Sequence, residues 1–146
     1  MIAFDTNFVV RMLVEDDKRQ AGAVQKTVLY AEKNAIQILI LSEVLIETVW
    51  VLESVYQCTK HEITQFLETL VSASTFTHPN PDVIRKAIQQ YKRGGDFADF
   101  VIVEQAKKKQ AKSFFSFDKK LQKKYPDYVV TNISMTQEID KNTRIG

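Results

Sequence analysis

At 146 residues, 45% hydrophobic and 26% charged, the chain has the make-up of one globular domain with its own core. A formal net charge of +2 points to no partner by itself, and the one cysteine, Cys58, excludes an internal disulfide and a thiolate metal cluster. No apolar run reaches membrane-spanning length and no basic leader precedes the first apolar residues, so the expected location is the cytoplasm.

Taken in chain order, Ile2-Ala3-Phe4 reads as a short strand buried on both faces, ended by the polar triplet Asp5-Thr6-Asn7. A helix follows from Asn7 to Val14, with Phe8, Met12 and Leu13 on one side, and a second from Asp17 to Asn34. Ile36 to Leu41 is a compact apolar run. Ser42 stands where an N-cap is wanted, and the spacing of Leu45, Val49, Leu52 and Val55 predicts a helix from Glu43 to Tyr56. Lys60 to Ser72 repeats the helical pattern through Ile63, Phe66, Leu67 and Leu70, and Ser74 to His78 is a short strand candidate. Pro81 opens another helix at its first turn.

Gly94-Gly95 is the clearest break in the chain. Beyond it the reading is a helix from Phe97 to Gln110, a strand from Ser113 to Phe117, a short helix from Asp118 to Lys124 halted by Pro126, and a last strand at Tyr128 to Val130. Strand and helix alternate, so the expected class is α/β with a parallel sheet covered on both faces. One domain is expected over residues 1–130, and Thr131 to Gly146 reads as a polar, unpatterned tail.

Four acids fall at or shortly after the carboxyl ends of expected strands: Asp5, Glu47, Asp99 and Asp118. In open α/β folds that edge of the sheet carries the ligand. Asp5 is expected there because the first strand of such a sheet is usually central. Each acid has a plainer explanation. Asp5 and Asp118 can cap the helices that follow them, and Asp96 with Asp99 forms an Asp-x-x-Asp pair like a capping box. Glu47 lies too far inside its helix for the dipole to account for it, whereas Glu43 does not. Clustered carboxylates in one cleft repel each other and call for a counter-charge, and all-oxygen donors without a Cys/His cluster suit a hard cation, Mg²⁺ or Mn²⁺. His61 and His78 are expected at the surface. Lysines crowd the C-terminal half, Lys119 and Lys120 among them, and a basic rim around acids suits a polyanion.

With these residues in view, the chain resembles the PIN-domain nucleases, and within them the VapC-type toxins of bacterial toxin–antitoxin pairs. The matching segments are Phe4-Asp5-Thr6-Asn7-Phe8-Val9-Val10-Arg11, Ser42 to Leu52 around Glu47, Asp96-Phe97-Ala98-Asp99, and Ser116-Phe117-Asp118-Lys119-Lys120-Leu121. The resemblance runs from residue 1 to about 130. It implies a three-layer α/β/α sandwich around a central, mostly parallel sheet of four to five strands. It also implies that Asp5, Glu47 and Asp99 are the core metal-site acids, with Asp118 the fourth, and that Thr6, Asn7 and Ser116 support them; Asp96 is expected as a further supporting acid from its place at the same helix start as Asp99. Ser116 stands where the family usually has threonine, which keeps the hydroxyl, and Glu43 and Asp96 are acids beyond the family's set.

The activity implied is Mg²⁺- or Mn²⁺-dependent hydrolysis of RNA, with Arg11, Lys119 and Lys120 holding flanking phosphates and single-stranded RNA as the target. The partners implied are a small antitoxin and a second copy of the chain in a homodimer, with no membrane. Two other classes fit less of the pattern. A non-catalytic PIN-fold module for RNA or a protein partner would keep the fold without metal-dependent cleavage. A phosphatase of the haloacid-dehalogenase kind needs a second Asp where Asn7 stands, and a receiver domain needs a different order of acids.

Overall fold

The computed structural model describes residues 1–136, so most of the expected tail lies outside the described residues. The elements in order are β1 (Ile2–Ala3), α1 (Thr6–Leu13), α2 (Lys18–Lys33), β2 (Ile38–Leu39), α3 (Ser42–Ser54), α4 (Lys60–Ser72), β3 (Phe76–Thr77), α5 (Pro81–Lys92), α6 (Phe97–Lys108), β4 (Phe114–Phe115), α7 (Lys119–Lys124) and β5 (Val129–Val130). The α/β class and the parallel pairing expected from the sequence are both present. The single sheet of four to five strands is instead two sheets, β1-β2-β3 and β4-β5, with every pair parallel. The chain forms two compact units, Met1–Val101 and Ile102–Gly146.

In the first unit β2 is the central strand, joined to β1 through Ile2↔Ile38 and to β3 through Ile38↔Phe76. This corrects the expectation that the first strand is central and buried on both faces. β1 ends its three-stranded sheet, Ile2 is 38% exposed, and only the following Phe4 is buried. Centrality goes instead to the segment over residues 36–41, where Ile38 and Ile40 are fully enclosed. Each parallel step is made by a pair of helices, α1 and α2 from β1 to β2, then α3 and α4 from β2 to β3. α1 packs on both α2 and α3, and α4 packs on α5.

Helix starts follow local chemistry. The side chains of Asp5 and Asp17 cap α1 and α2, and Thr59 with Glu62 forms a complete capping box on α4. Pro81 opens α5 as expected. Ser42 does not cap α3. It is the first helical residue and is buried, while Leu41 occupies the cap position without a side-chain bond. α5 ends near Tyr91, whose carbonyl accepts a 3.0 Å hydrogen bond from Lys60 Nζ. The same ammonium lies 3.6 Å from the Tyr91 ring centroid, so a cation satisfies the negative end of α5.

His78 is a second correction, for it is buried at 8% exposure rather than on the surface, while His61 is exposed as expected. Burial pushes the His78 imidazole below its ordinary 6.5; the carbonyls of Leu70 and Ile40 pull the other way, and Arg85 adds to the depression. The unfolded chain therefore takes up a proton that the folded chain resists. This contribution to stability is fully present above about pH 6.5 and is lost as the pH falls below it, at a slope of up to about 1.4 kcal/mol per pH unit. Urea denaturation of the wild type and His78→Phe across that range is expected to show the slope in the wild type alone. Equal slopes would exclude it.

The second unit holds β4 and β5 in register Phe114↔Val129 with α7 between them in sequence. Leu121, Tyr125, Val129 and Val130 fill its interior. Glu104 is a buried acid beside Tyr125, whose hydroxyl is pushed up in pKa by burial and by that carboxylate. Lys107 Nζ sits 4.8 Å from the Tyr125 ring centroid and 5.4 Å from that of Tyr128.

Candidate active site

Asp5 leaves β1 in extended backbone, φ −86° and ψ 179°, and turns its side chain onto the start of α1. Its Oδ1 accepts the Phe8 N–H at 3.0 Å, so the capping explanation is real. A cap of this kind engages one carboxylate oxygen, and the side chain is exposed with no ion pair among the described residues. The acid thus has a structural task and an oxygen left over.

Thr6, the first residue of α1, donates its hydroxyl to Glu47 Oε2 at 2.8 Å across 41 residues of sequence. That bond ties α1 to α3. Along α3 the buried residues are Ser42, Leu45, Thr48, Val49 and Leu52, which leaves Glu43, Glu47 and Trp50 on an exposed stripe. Glu47 faces solvent, as an acid in an apolar helix must unless paired. The Thr6 hydroxyl orients its carboxylate, and like Asp5 it has no ion pair among the described residues. Asn7 is exposed in the first turn of the same helix.

Asp96 holds the start of α6, its Oδ1 accepting the Ala98 N–H at 2.9 Å. Asp99 lies half-buried in the first turn of that helix, in the same unit as Asp5 and Glu47. Asp118 belongs to the second unit and caps α7, with Oδ1 accepting the N–H groups of Lys120 at 2.9 Å and Leu121 at 3.2 Å. Its own N–H donates to the Ser116 hydroxyl at 3.1 Å. Lys119 and Lys120 follow, both exposed.

The side chains joined directly are therefore those of Thr6 and Glu47, with Asp5 next to Thr6 in sequence; separately, the Ser116 hydroxyl accepts the backbone N–H of Asp118. Among the described residues no group of three or more His, Cys, Asp or Glu side chains has the arrangement of a metal site. The donor chemistry at Asp5, Thr6 and Glu47 still fits a hard cation. Mg²⁺ is commonly bound through one or two carboxylates and keeps water on its other positions.

Arg11 has a different occupation from the phosphate contact expected of it. Its Nη1 donates to the Tyr56 hydroxyl at 2.9 Å and lies 3.3 Å from Asp16, and its Nε donates to Gln20 at 3.0 Å. The Tyr56 hydroxyl donates to Asp16 Oδ2 at 2.9 Å and, by accepting from Arg11, raises the guanidinium's pKa further. This cluster holds the α1–α2 turn to the segment after α3. Tyr56, Asp16 and Gln20 carry no local sequence signal for it, since Arg11 and Tyr56 stand 45 residues apart.

Comparison with known proteins follows the same residues. The PIN domain family profile matches residues 2–126. A VapC ribonuclease of Aquifex aeolicus (strain VF5) is 33% identical over 88 residues, a stretch covering 60% of this chain and 65% of that protein. The matched stretch is thus just under two thirds of the relative's length. No solved structure gives a significant match.

Proposed function

This chain belongs to the PIN domain family, and from that premise we propose that it is a Mg²⁺- or Mn²⁺-dependent endoribonuclease and the toxin of a toxin–antitoxin pair. The observation that carries the proposal is the Asp5–Thr6–Glu47 arrangement: two acids without ion pairs among the described residues, one oriented by a hydroxyl bond between two helices. A purely structural cap needs Asp5 but has no use for Glu47. Similarity to a protein named a VapC ribonuclease supports the same reading.

In this proposal Asp5 and Glu47 hold the cation, with Asp99 of the same unit as the third acid; Asp118 is the fourth acid of the expected set and belongs to the second unit. The cation, when bound, supplies Lewis-acid polarisation and eases deprotonation of the attacking water. The chain's own residues do the rest. Thr6 fixes the Glu47 carboxylate, and the α1 cap fixes that of Asp5, so neither must reorganise during the reaction. A carboxylate accepts the water's proton as the water oxygen bonds to phosphorus and the P–O bond to the leaving oxygen breaks, and solvent protonates that leaving oxygen. Ser116 fixes the backbone at Asp118, while Lys119 and Lys120 hold flanking phosphates. Arg11 serves by keeping α1 in place.

The partners proposed are single-stranded RNA, an antitoxin and a second copy of the chain. Exposed apolar side chains on α2 and α3, among them Leu29, Tyr30 and Trp50, support protein partners. Among the described residues no helix is long and apolar enough to cross a membrane, and a cytoplasmic location is proposed from the free thiol of Cys58. The test is cleavage of labelled single-stranded RNA by the full chain in Mn²⁺ or Mg²⁺ and its arrest by EDTA. Cleavage that persists in the chelator, or none with either ion, refutes the proposal.

A further inference from the structure

Phe117 has the greatest exposure of any large apolar side chain described, 88%, and Phe115 just before it is 54% exposed. Exposed hydrophobics standing singly need no explanation. This one differs because the backbone beneath it is pinned on both sides. Ser116 N–H donates to the Val130 carbonyl at 3.0 Å, Asp118 N–H donates to the Ser116 hydroxyl, and Asp118 in turn caps α7. A phenylalanine on a floppy loop would fold back onto apolar surface. Here the turn presents the ring outward, while Leu121, Tyr125, Val129 and Val130 fill the unit's interior without it.

The surroundings give the ligand's charge. Lys119 and Lys120 follow within three residues, both exposed and without an ion pair among the described residues. A flat apolar face followed in sequence by two exposed lysines matches a nucleobase with its phosphates: the base stacks and the lysines meet the backbone charge. A protein patch would match only where acidic side chains adjoin it, whereas every nucleotide carries base and phosphate together. Only an unpaired base offers its face, so duplex RNA is a poor match.

We propose that Phe117 is a stacking platform for one base of single-stranded RNA, flanked by Lys119 and Lys120 and next in sequence to Asp118. The inference rests on the ribonuclease reading and adds the residue that seats the substrate.

The test is binding of a short fluorescein-labelled single-stranded RNA of mixed sequence, and of the matching duplex, to the full chain carrying Asp5→Asn. Phe117→Ala and Phe117→Leu are compared with Phe117→Trp in that background, each checked by thermal melting. The expected result is single-strand affinity weakened on the order of 5- to 100-fold in the Ala and Leu variants and retained in the Trp variant. Duplex affinity should be alike in all. Leu binding as well as Phe, or Ala leaving affinity unchanged, overturns the proposal. So does a variant that keeps RNA affinity but loses a protein partner, which would assign the ring to a protein interface. The two levels separate cleanly: a wild type that neither binds nor cleaves RNA removes the ribonuclease reading, whereas a wild type that cleaves and a Phe117→Ala variant equal to it remove only the platform.

Discussion

Asp5→Asn is expected to leave the fold intact and to reduce metal-dependent RNA cleavage by on the order of 100-fold or more, the least that loss of a direct ligand should cost when loss of supporting groups costs 10–100-fold. As a cap, Asp5 uses Oδ1 to accept the Phe8 N–H, and an asparagine oxygen accepts that bond as well. Stability should then stay within about 0.5 kcal/mol of the wild type. As a cation-holding carboxylate, Asp5 supplies a charge that the amide lacks. Asp5→Ala removes both and should add a stability loss of about 1 kcal/mol. The measurement is paired: a thermal melt and a cleavage rate in Mn²⁺ for each variant. Wild-type cleavage by Asp5→Asn would show that the acid is a cap and nothing more, and the metal-dependent mechanism would lose its first residue.

Gly95→Ala is the substitution expected to cost most stability. Gly95 sits at φ +111°, in the region where an L side chain is strained. A Cβ there would lie 2.5 Å from the ring tip of Phe100, which is itself buried, so relief of the clash must come from repacking around the ring. Backbone strain of about 1–3 kcal/mol adds to overpacking of about 1–3 kcal/mol. The expected total is a loss of about 2–6 kcal/mol, seen as a fall in Tm of roughly 6–18 °C. Gly94→Ala is the control. It has nearly the same φ, +108°, but an added Cβ meets nothing within 4 Å, so it should show the backbone cost alone. Equal effects of the two substitutions would exclude the clash. Gly95 also leads directly into Asp96 and α6, so cleavage by Gly95→Ala should fall further than its folded fraction accounts for.

Much of this molecule was legible before its coordinates. Helix α4 was read at its observed bounds, because the period of Ile63, Leu67 and Leu70 is set by turns that close within four residues. Pro81 and Asp118 were read at helix starts for the same local reason. Ser42 shows the limit of local chemistry. A serine before an apolar run usually caps, but here its side chain is drawn inward and Leu41 takes the position. His78 shows the same limit. Nothing in Thr77-His78-Pro79 announces that Ile40 and Leu70 will enclose the ring. The first strand lies where the sequence places it but at the edge of its sheet, because apolar content in three residues does not reveal which strand will have neighbours on both sides.

By itself the sequence determined the alternation of strands and helices and the helix starts at Pro81 and Asp118, which rest on hydrogen bonds and periods spanning a few residues. Only the tertiary structure decided that Thr6 would orient Glu47, that Arg11 would be taken up by Tyr56 and Asp16, and that Phe117 would be held out to solvent. Those outcomes depend on which helices pack together, and packing joins residues some 41 to 45 positions apart that carry no mark of one another.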